Sequence, residues 1–196
     1  MVSHFGRLVA WKGQMEFLRA LATIGDAHTF HALVVGDRSD GPPEYERLIR
    51  EEAGSSGLAN RVSFTGQRGD IPDLMRLSDV VVHSSIDPEP FGRVLIEAMA
   101  SGKPIVAANS GGPLDVVRHG IDGFLVDPSD SLMLGSAIST LLSDEGMRHR
   151  MGAAGLLRAR ERFSQETCAA AVGRIYEQVL TQPGMGSGPG KERARA

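Results

Sequence analysis

Short apolar runs alternate with amphipathic segments along most of the chain. Compact apolar runs beside glycine, proline or aspartate predict buried strands, whereas apolar residues at helical spacing predict helices. The predicted strands are Phe5–Val9, His31–Val35, Val62–Thr65, Asp79–His83, Ile105–Ala108 and Gly123–Val126. The predicted helices are Gln14–Ile24, Glu44–Ala53, Ile71–Leu77, Arg93–Ala100, Pro113–Arg118, Ser131–Leu142, Glu145–Arg162 and Gln165–Leu180.

Strands that alternate with helices predict an α/β fold with a parallel, Rossmann-like sheet and helices on both faces. Ligands of such sheets bind beyond the carboxyl ends of the strands. The polar and glycine-containing loops of this chain follow its predicted strands. They are Ala10–Gly13, Gly36–Ser39, Gly66–Asp70, Ser84–Gly92 and Asn109–Gly112.

The segment Ser84–Gly102 carries the most informative pattern, because a polar loop leads into a helix that opens after Gly92. The free amides of a helix N-terminus bind anions such as phosphate. Glu89 before the helix and Glu97 within it supply carboxylates that accept hydrogen bonds from sugar hydroxyls. Two plainer interpretations remain open: the carboxylates complement the helix dipole, or Glu97 pairs with Arg93 on the same face.

Two basic residues near the start of the chain, Arg7 and Lys12, follow the first predicted strand. An arginine offers a planar fork to phosphate oxygens and a lysine a compact cation. Together they would reach a diphosphate at the Gly92 helix and neutralise a departing nucleoside diphosphate without a metal ion. The alternative is a pair of solvated surface cations.

Other candidates carry weaker signals. Asp37 either binds a ribose or caps a turn, and the Ser110-Gly111-Gly112 stretch is either a small anion site or a turn. His83 ends the fourth predicted strand, where a structural role is the simpler interpretation. Asp87 and Glu89 loosely resemble an acidic metal-binding triplet, but the sequence offers no third ligand, and no histidines have metal-binding spacing.

Composition limits the remaining possibilities. The chain has 196 residues and a net charge of −3, so no broad attraction to nucleic acid is expected. Its one cysteine, Cys168, excludes a disulfide within the chain and suits a reducing compartment. No apolar run has membrane-spanning length and the N-terminus lacks a secretion signal. We therefore expect a cytoplasmic protein without a transmembrane segment, and peripheral attachment to the inner face of the membrane stays open.

Several segments together resemble the C-terminal, donor-binding domain of the group 1 (family 4) retaining glycosyltransferases, which have the GT-B fold. The matching segments, in family order, are GRLVAWKG (6–13), VVGD (34–37), VSFTGQ (62–67), DVVVHSS (79–85), EPFGRVLIEAMASGKPIVA (89–107), NSGGPLDVV (109–117) and GIDGFLVDP (120–128). The two glutamates with seven residues between them are the most specific of these features.

This resemblance implies a role for each matching residue. Arg7 and Lys12 correspond to the pair that contacts the diphosphate, and Glu89 to the glutamate that binds the donor sugar, so these three are the expected catalytic residues. Glu97 corresponds to the ribose-binding glutamate. The remaining expected donor-binding residues are Gly6, Gly36, Gln67, Arg68, Phe91, Gly92, Arg93 and Val94. The resemblance implies sugar transfer with retention at the anomeric carbon, no metal and no cofactor besides the nucleotide-sugar substrate.

The resemblance also implies a domain arrangement. Residues 1–180 correspond to the donor domain, and the sequence is expected to lack the N-terminal acceptor domain of the family. We therefore expect a separate acceptor-binding domain or subunit as partner, and little transfer by the chain alone. A non-catalytic nucleotide-sugar-binding module and a GT-B nucleotide-sugar epimerase are the alternatives. Apart from the resemblance, residues 181–196 hold glycines, prolines and charges without periodicity, so a disordered tail is expected there.

Overall fold

A computed structural model describes residues 1–38 and 43–181 of the chain. The strands are β1 (Val2–Phe5), β2 (Ala32–Val35), β3 (Val62–Gly66), β4 (Val80–His83), β5 (Ile105–Ala108) and β6 (Gly123–Val126). The helices are α1 (Gln14–Ile24), α2 (Pro43–Ser55), α3 (Ile71–Leu77), α4 (Arg93–Ala100), α5 (Pro113–Val116), α6 (Ser131–Ser143), α7 (Glu145–Arg162) and α8 (Gln165–Thr181). A short 3₁₀ helix, Ala10–Lys12, precedes α1.

The six strands form one parallel sheet in the order β3-β2-β1-β4-β5-β6. This is the doubly wound order of dinucleotide-binding folds, and it confirms the predicted α/β class. The strand order reverses between β1 and β4, which pair in parallel with His4 opposite Val82. In folds of this kind, ligands bind at such a reversal, beyond the carboxyl ends of the strands.

Both faces of the sheet are covered, which explains why most strands are apolar throughout. Alternate strand residues such as Val80 and Val82 join a core cluster with Phe17 of α1 and Ile138 of α6. The residues between them, Val81 for example, are equally buried on the other face, where α4 packs. The rigid sheet therefore fixes the positions of the loops at its carboxyl edge.

The first strand differs from the prediction. The sequence predicted Phe5–Val9, whereas β1 covers Val2–Phe5 and the chain from Gly6 onward is already loop. The difference arises because two buried polar residues, Ser3 and His4, interrupt the apolar pattern. Both are satisfied internally: Ser78 Oγ donates to Ser3 Oγ (2.7 Å), and His4 Nε2 lies 3.0 Å from the Lys12 carbonyl oxygen.

Residues from Glu161 onward form a separate compact unit. Its described part consists of the end of α7 and all of α8, and no residue of α8 is buried. The expected disordered tail lies outside the described residues, except for Thr181, which is the last residue of α8.

Candidate functional site

A cleft of about 670 Å³ opens at the carboxyl edge of the sheet, at the reversal between β1 and β4. All twelve residues that the sequence analysis expected at a donor site line this one cleft. They are Gly6, Arg7, Lys12, Gly36, Gln67, Arg68, Glu89, Phe91, Gly92, Arg93, Val94 and Glu97. Residues distant in sequence thus meet in one place, because parallel strands bring their carboxyl-end loops to the same edge.

The loop after β1 forms one wall of the cleft, and close backbone packing fixes its path. Gly13 has a left-handed conformation (φ 73°), and a Cβ there would lie 1.7 Å from the carbonyl oxygen of Ser84. Ser84 Oγ in turn donates to the Gly13 carbonyl oxygen (2.7 Å). Only glycine allows this contact between the β1 and β4 loops, which holds Arg7 and Lys12 beside the β4 loop.

The opposite wall is the start of α4. Gly92 is the N-cap, with a left-handed conformation (φ 83°). The Leu95 amide donates to the Gly92 carbonyl oxygen (2.9 Å). The amides of Arg93 and Val94 lie before this first hydrogen bond of the helix. Such amides carry a partial positive charge and bind anions. The cleft therefore presents two cations on one wall and a helix N-terminus on the other.

The glycines after β5 support this wall. A Cβ on Gly111 would lie 2.6 Å from the Glu89 carbonyl oxygen, and one on Gly112 would lie 2.4 Å from Phe91 Cα. The Gly112 amide donates to the Glu89 carbonyl oxygen (2.7 Å). Of the two interpretations of the Ser110-Gly111-Gly112 stretch, the contacts favour a turn that packs against the Glu89–Phe91 backbone.

Three side chains converge on one oxygen of Glu89. Lys12 Nζ donates to Glu89 Oε2 (2.7 Å), His83 Nε2 lies 2.6 Å from it, and Ser85 Oγ donates to it (3.2 Å). The hydrogen bond from His83, aided by Lys12 and opposed by partial burial, lowers the pKa of Glu89 to about 2. Glu89 is therefore a carboxylate at neutral pH, with a fixed position at the end of the cleft.

Lys12 is itself held in place. Its ammonium lies 4.3 Å from the centroid of the Trp11 ring, a cation–π distance. His4, 2 % exposed, contacts the Lys12 carbonyl oxygen through Nε2. Burial, and then the nearby His83, lower the pKa of His4 to about 3, so its ring stays neutral at neutral pH and donates one hydrogen bond to this carbonyl.

The remaining charged residues lie on the rim. The exposed Arg7 makes no ion pair with another described residue, although its carbonyl oxygen accepts a hydrogen bond from Gln14 Nε2 (2.8 Å). Arg68 pairs with Asp70 (2.6 Å). Arg93 Nη2 lies 3.8 Å from Glu97 Oε1, an exposed and weak contact of the kind that the plainer interpretation of Glu97 expects.

The structure adds residues that sequence reasoning missed or ranked low. Trp11, Pro90 and Ile71 line the cleft, although no chemical motif in the sequence indicates this. Asp37, which the sequence left open, also lines it. His83, interpreted from the sequence as structural, contacts Glu89 directly. The signal that could have found His83 was its place at the end of β4, six residues before Glu89.

Two other kinds of feature are absent from the described residues. Among residues 1–38 and 43–181, no group of three or more His, Cys, Asp or Glu side chains is arranged to hold a metal ion. The pair Asp87 and Glu89 thus gains no third ligand from this part of the chain. Over the same residues, no helix combines the length and apolar character needed to span a bilayer.

The chain is similar to known sugar-transfer proteins. A family profile described as "Glycosyl transferases group 1" matches residues 1–158. Among curated proteins, the phosphatidyl-myo-inositol mannosyltransferase of Mycobacterium leprae is 36% identical over 172 residues, covering 87% of this chain and 44% of the relative. A D-inositol 3-phosphate glycosyltransferase of Corynebacterium glutamicum is 32% identical over 185 residues, covering 92% of this chain and 44% of the relative.

Solved structures agree with this family match. The Anabaena protein Alr3699/HepE in complex with UDP is 39% identical, with a TM-score of 0.86, and covers 90% of this chain and 48% of that protein. The same protein has also been solved with UDP-glucose, with a TM-score of 0.85. The C-terminal domain of the Francisella tularensis group 1 glycosyl transferase LpcC is 25% identical, with a TM-score of 0.76. The match covers 84% of this chain and 86% of that domain. The chain spans about half the length of the curated relatives it matches.

Proposed function

Because the chain belongs to the group 1 glycosyl transferases, we propose that its cleft binds the nucleoside-diphosphate sugar donor of a retaining, metal-independent glycosyltransferase. The observation that carries this proposal is the single cleft with Arg7 and Lys12 on one wall and the α4 N-terminus on the other. A diphosphate needs charge neutralisation from several directions, and these groups provide it.

The proposal assigns a part of the donor to each region of the cleft. The diphosphate lies between Arg7, Lys12 and the first amides of α4. The sugar lies toward Glu89, whose fixed carboxylate accepts hydrogen bonds from sugar hydroxyls. The ribose lies toward Glu97, and the base toward the Gly36 and Gln67–Arg68 loops. The complexes of Alr3699/HepE with UDP and UDP-glucose support a nucleotide-sugar ligand for a fold of this kind.

In the proposed chemistry, the bond between the anomeric carbon and the diphosphate oxygen breaks while the acceptor hydroxyl bonds to the same face of that carbon, which retains its configuration. The proton of the acceptor hydroxyl passes to the leaving phosphate. Negative charge develops on the leaving phosphate, and Arg7, Lys12 and the helix amides stabilise it. These fixed positive groups neutralise the charge that a divalent cation neutralises in metal-dependent sugar-transfer enzymes, which is why we propose metal independence. We further propose that a separate domain or subunit binds the acceptor, because closure of two domains orients the acceptor and excludes water.

Calorimetric titration of the chain with UDP, UMP and UDP-glucose tests the binding proposal, with GDP and ADP as alternative bases. Trp11, the one tryptophan of the chain, lines the cleft, so its fluorescence gives a second readout. Arg7→Gln and Lys12→Gln should weaken UDP binding about tenfold or more, since a charge-assisted hydrogen bond contributes about 1.5–3 kcal/mol. UMP binding should change less because it lacks the second phosphate.

A matched control removes the same charge elsewhere. Arg47 lies on the surface of α2, where it pairs with Glu44 and Glu51, and Arg47→Gln should leave nucleotide binding unchanged. Equal UDP affinity of the wild type and of the Arg7 and Lys12 variants would refute the diphosphate site. Binding that requires added Mg²⁺, absent in EDTA, would refute metal independence. The anomeric configuration of a transferred sugar, determined by NMR, tests retention.

A further inference from the structure

The three donors that meet at Glu89 Oε2 differ in their access to the cleft. Lys12 lines the cleft and its side chain is 13% exposed. His83 and Ser85 are 3% and 1% exposed, and neither lines it. A ligand in the cleft can therefore contact Lys12 but cannot reach His83 or Ser85.

This difference matters once a diphosphate is bound. The proposed function brings the diphosphate to Lys12, which then shares its hydrogen bonds between the phosphates and Glu89. The hold of Lys12 on Glu89 weakens, and the phosphates add negative charge near the carboxylate. The buried donors are the ones that stay on Glu89, and His83 makes the shorter contact of the two, at 2.6 Å against 3.2 Å for Ser85.

The His83 ring is oriented for this contact. His83 is the last residue of β4 and pairs with Ala107 of β5, so its backbone is fixed by the sheet. Its Nδ1 is buried and has no hydrogen-bond partner among the described residues, while Nε2 contacts Glu89 and Ser85. Since a carboxylate has no hydrogen to give, Nε2 is the donor.

We infer that His83 is a positioning residue, which holds the Glu89 carboxylate in place for the donor sugar while the diphosphate engages Lys12. The inference rests on the proposed function and adds a role that neither the motif nor the cleft lining assigns. It predicts that His83 affects recognition of the sugar and leaves recognition of the nucleotide unchanged.

The experiment compares two substitutions of His83 in the full chain. His83→Phe keeps a ring but removes the donor, and His83→Gln places an amide donor near the Nε2 position. Each variant is titrated with UDP and UDP-glucose, and with GDP and GDP-mannose as a second pair. We expect His83→Phe to weaken binding of the nucleotide sugar about tenfold, to leave the free nucleotide within twofold, and His83→Gln to restore most of the loss.

Several outcomes would overturn the inference. An equal loss for nucleotide and nucleotide sugar in His83→Phe would indicate a general structural role, and no loss for either would remove the positioning role. Failure of a folded His83→Gln to rescue would also contradict it. If His83→Phe does not fold, His83→Asn replaces it, because the shorter amide does not reach Oε2.

A double substitution separates this inference from the function on which it rests. In a Glu89→Ala background, the His83 substitution should cause no further loss of sugar binding, and an additional loss would count against the inference. If the wild type binds none of UDP, GDP and ADP, the proposed function fails and the inference falls with it. If the nucleotides bind but the His83 variants behave as wild type, the inference alone fails.

Discussion

Acid should destabilise this protein through His4, the buried histidine beneath Lys12. Burial, and then His83, lower the pKa of His4 from 6.5 to about 3 in the folded state. Between these pH values the unfolded chain binds a proton at His4 that the folded chain does not. Stability therefore falls as the pH drops from 6.5 toward 3.

The size of the effect follows from the two pKa values. Between pH 8 and pH 5 the His4 contribution to the free energy of unfolding should decrease by about 2 kcal/mol. His4→Phe removes the titration and keeps a ring against Phe17, whose centroid lies 5.5 Å from that of His4. It also removes the hydrogen bond to the Lys12 carbonyl oxygen, which should cost about 1–2 kcal/mol at pH 8.

Urea unfolding of the wild type and of His4→Phe at pH 8, 7, 6 and 5 measures the difference. We expect the wild type to be the more stable protein at pH 8 and the two to be about equal at pH 5. His149→Phe, at an exposed position on α7, controls for loss of a surface imidazole. If the stability gap between the wild type and His4→Phe is the same at all four pH values, the reasoning from burial is refuted.

Two further predictions use matched pairs, both measured by urea unfolding. Gly13 and Gly57 share a left-handed conformation (φ 73° and 74°), but only Gly13 would bring a Cβ against backbone. Gly13→Ala should therefore cost about 3 kcal/mol and Gly57→Ala about 1 kcal/mol, and equal costs would contradict the packing argument. Arg118→Ala leaves the fully buried Asp122 carboxylate without its half-exposed ion-pair partner, although the Arg118 amide still donates to it, and should cost about 1–3 kcal/mol. Arg76→Ala, which breaks an exposed pair with Asp73, should change stability little, and a similar loss in both variants would count against the role of burial.

Much of the fold was predictable because its signals are local. Strands β2 to β6 lie at or within one residue of the predicted positions, since each is a short apolar run between turn residues. The prediction for β1 was wrong because its buried polar residues, Ser3 and His4, have partners in other parts of the chain. The periodicity of apolar residues gives no information about such distant partners.

The candidate site likewise has one part that local sequence predicts and another that depends on contacts between distant residues. The sequence by itself determined that Glu89, Gly92 and Glu97 surround a helix start, because a loop, an N-cap glycine and a helix are set by neighbouring residues. Only the tertiary structure decided that Lys12 and His83 share the Glu89 carboxylate. Lys12 and Glu89 are 77 positions apart, and they meet because β1 pairs with β4 and not with β3. That pairing depends on burying both faces of the sheet at once, which is a property of the whole domain and of no single segment.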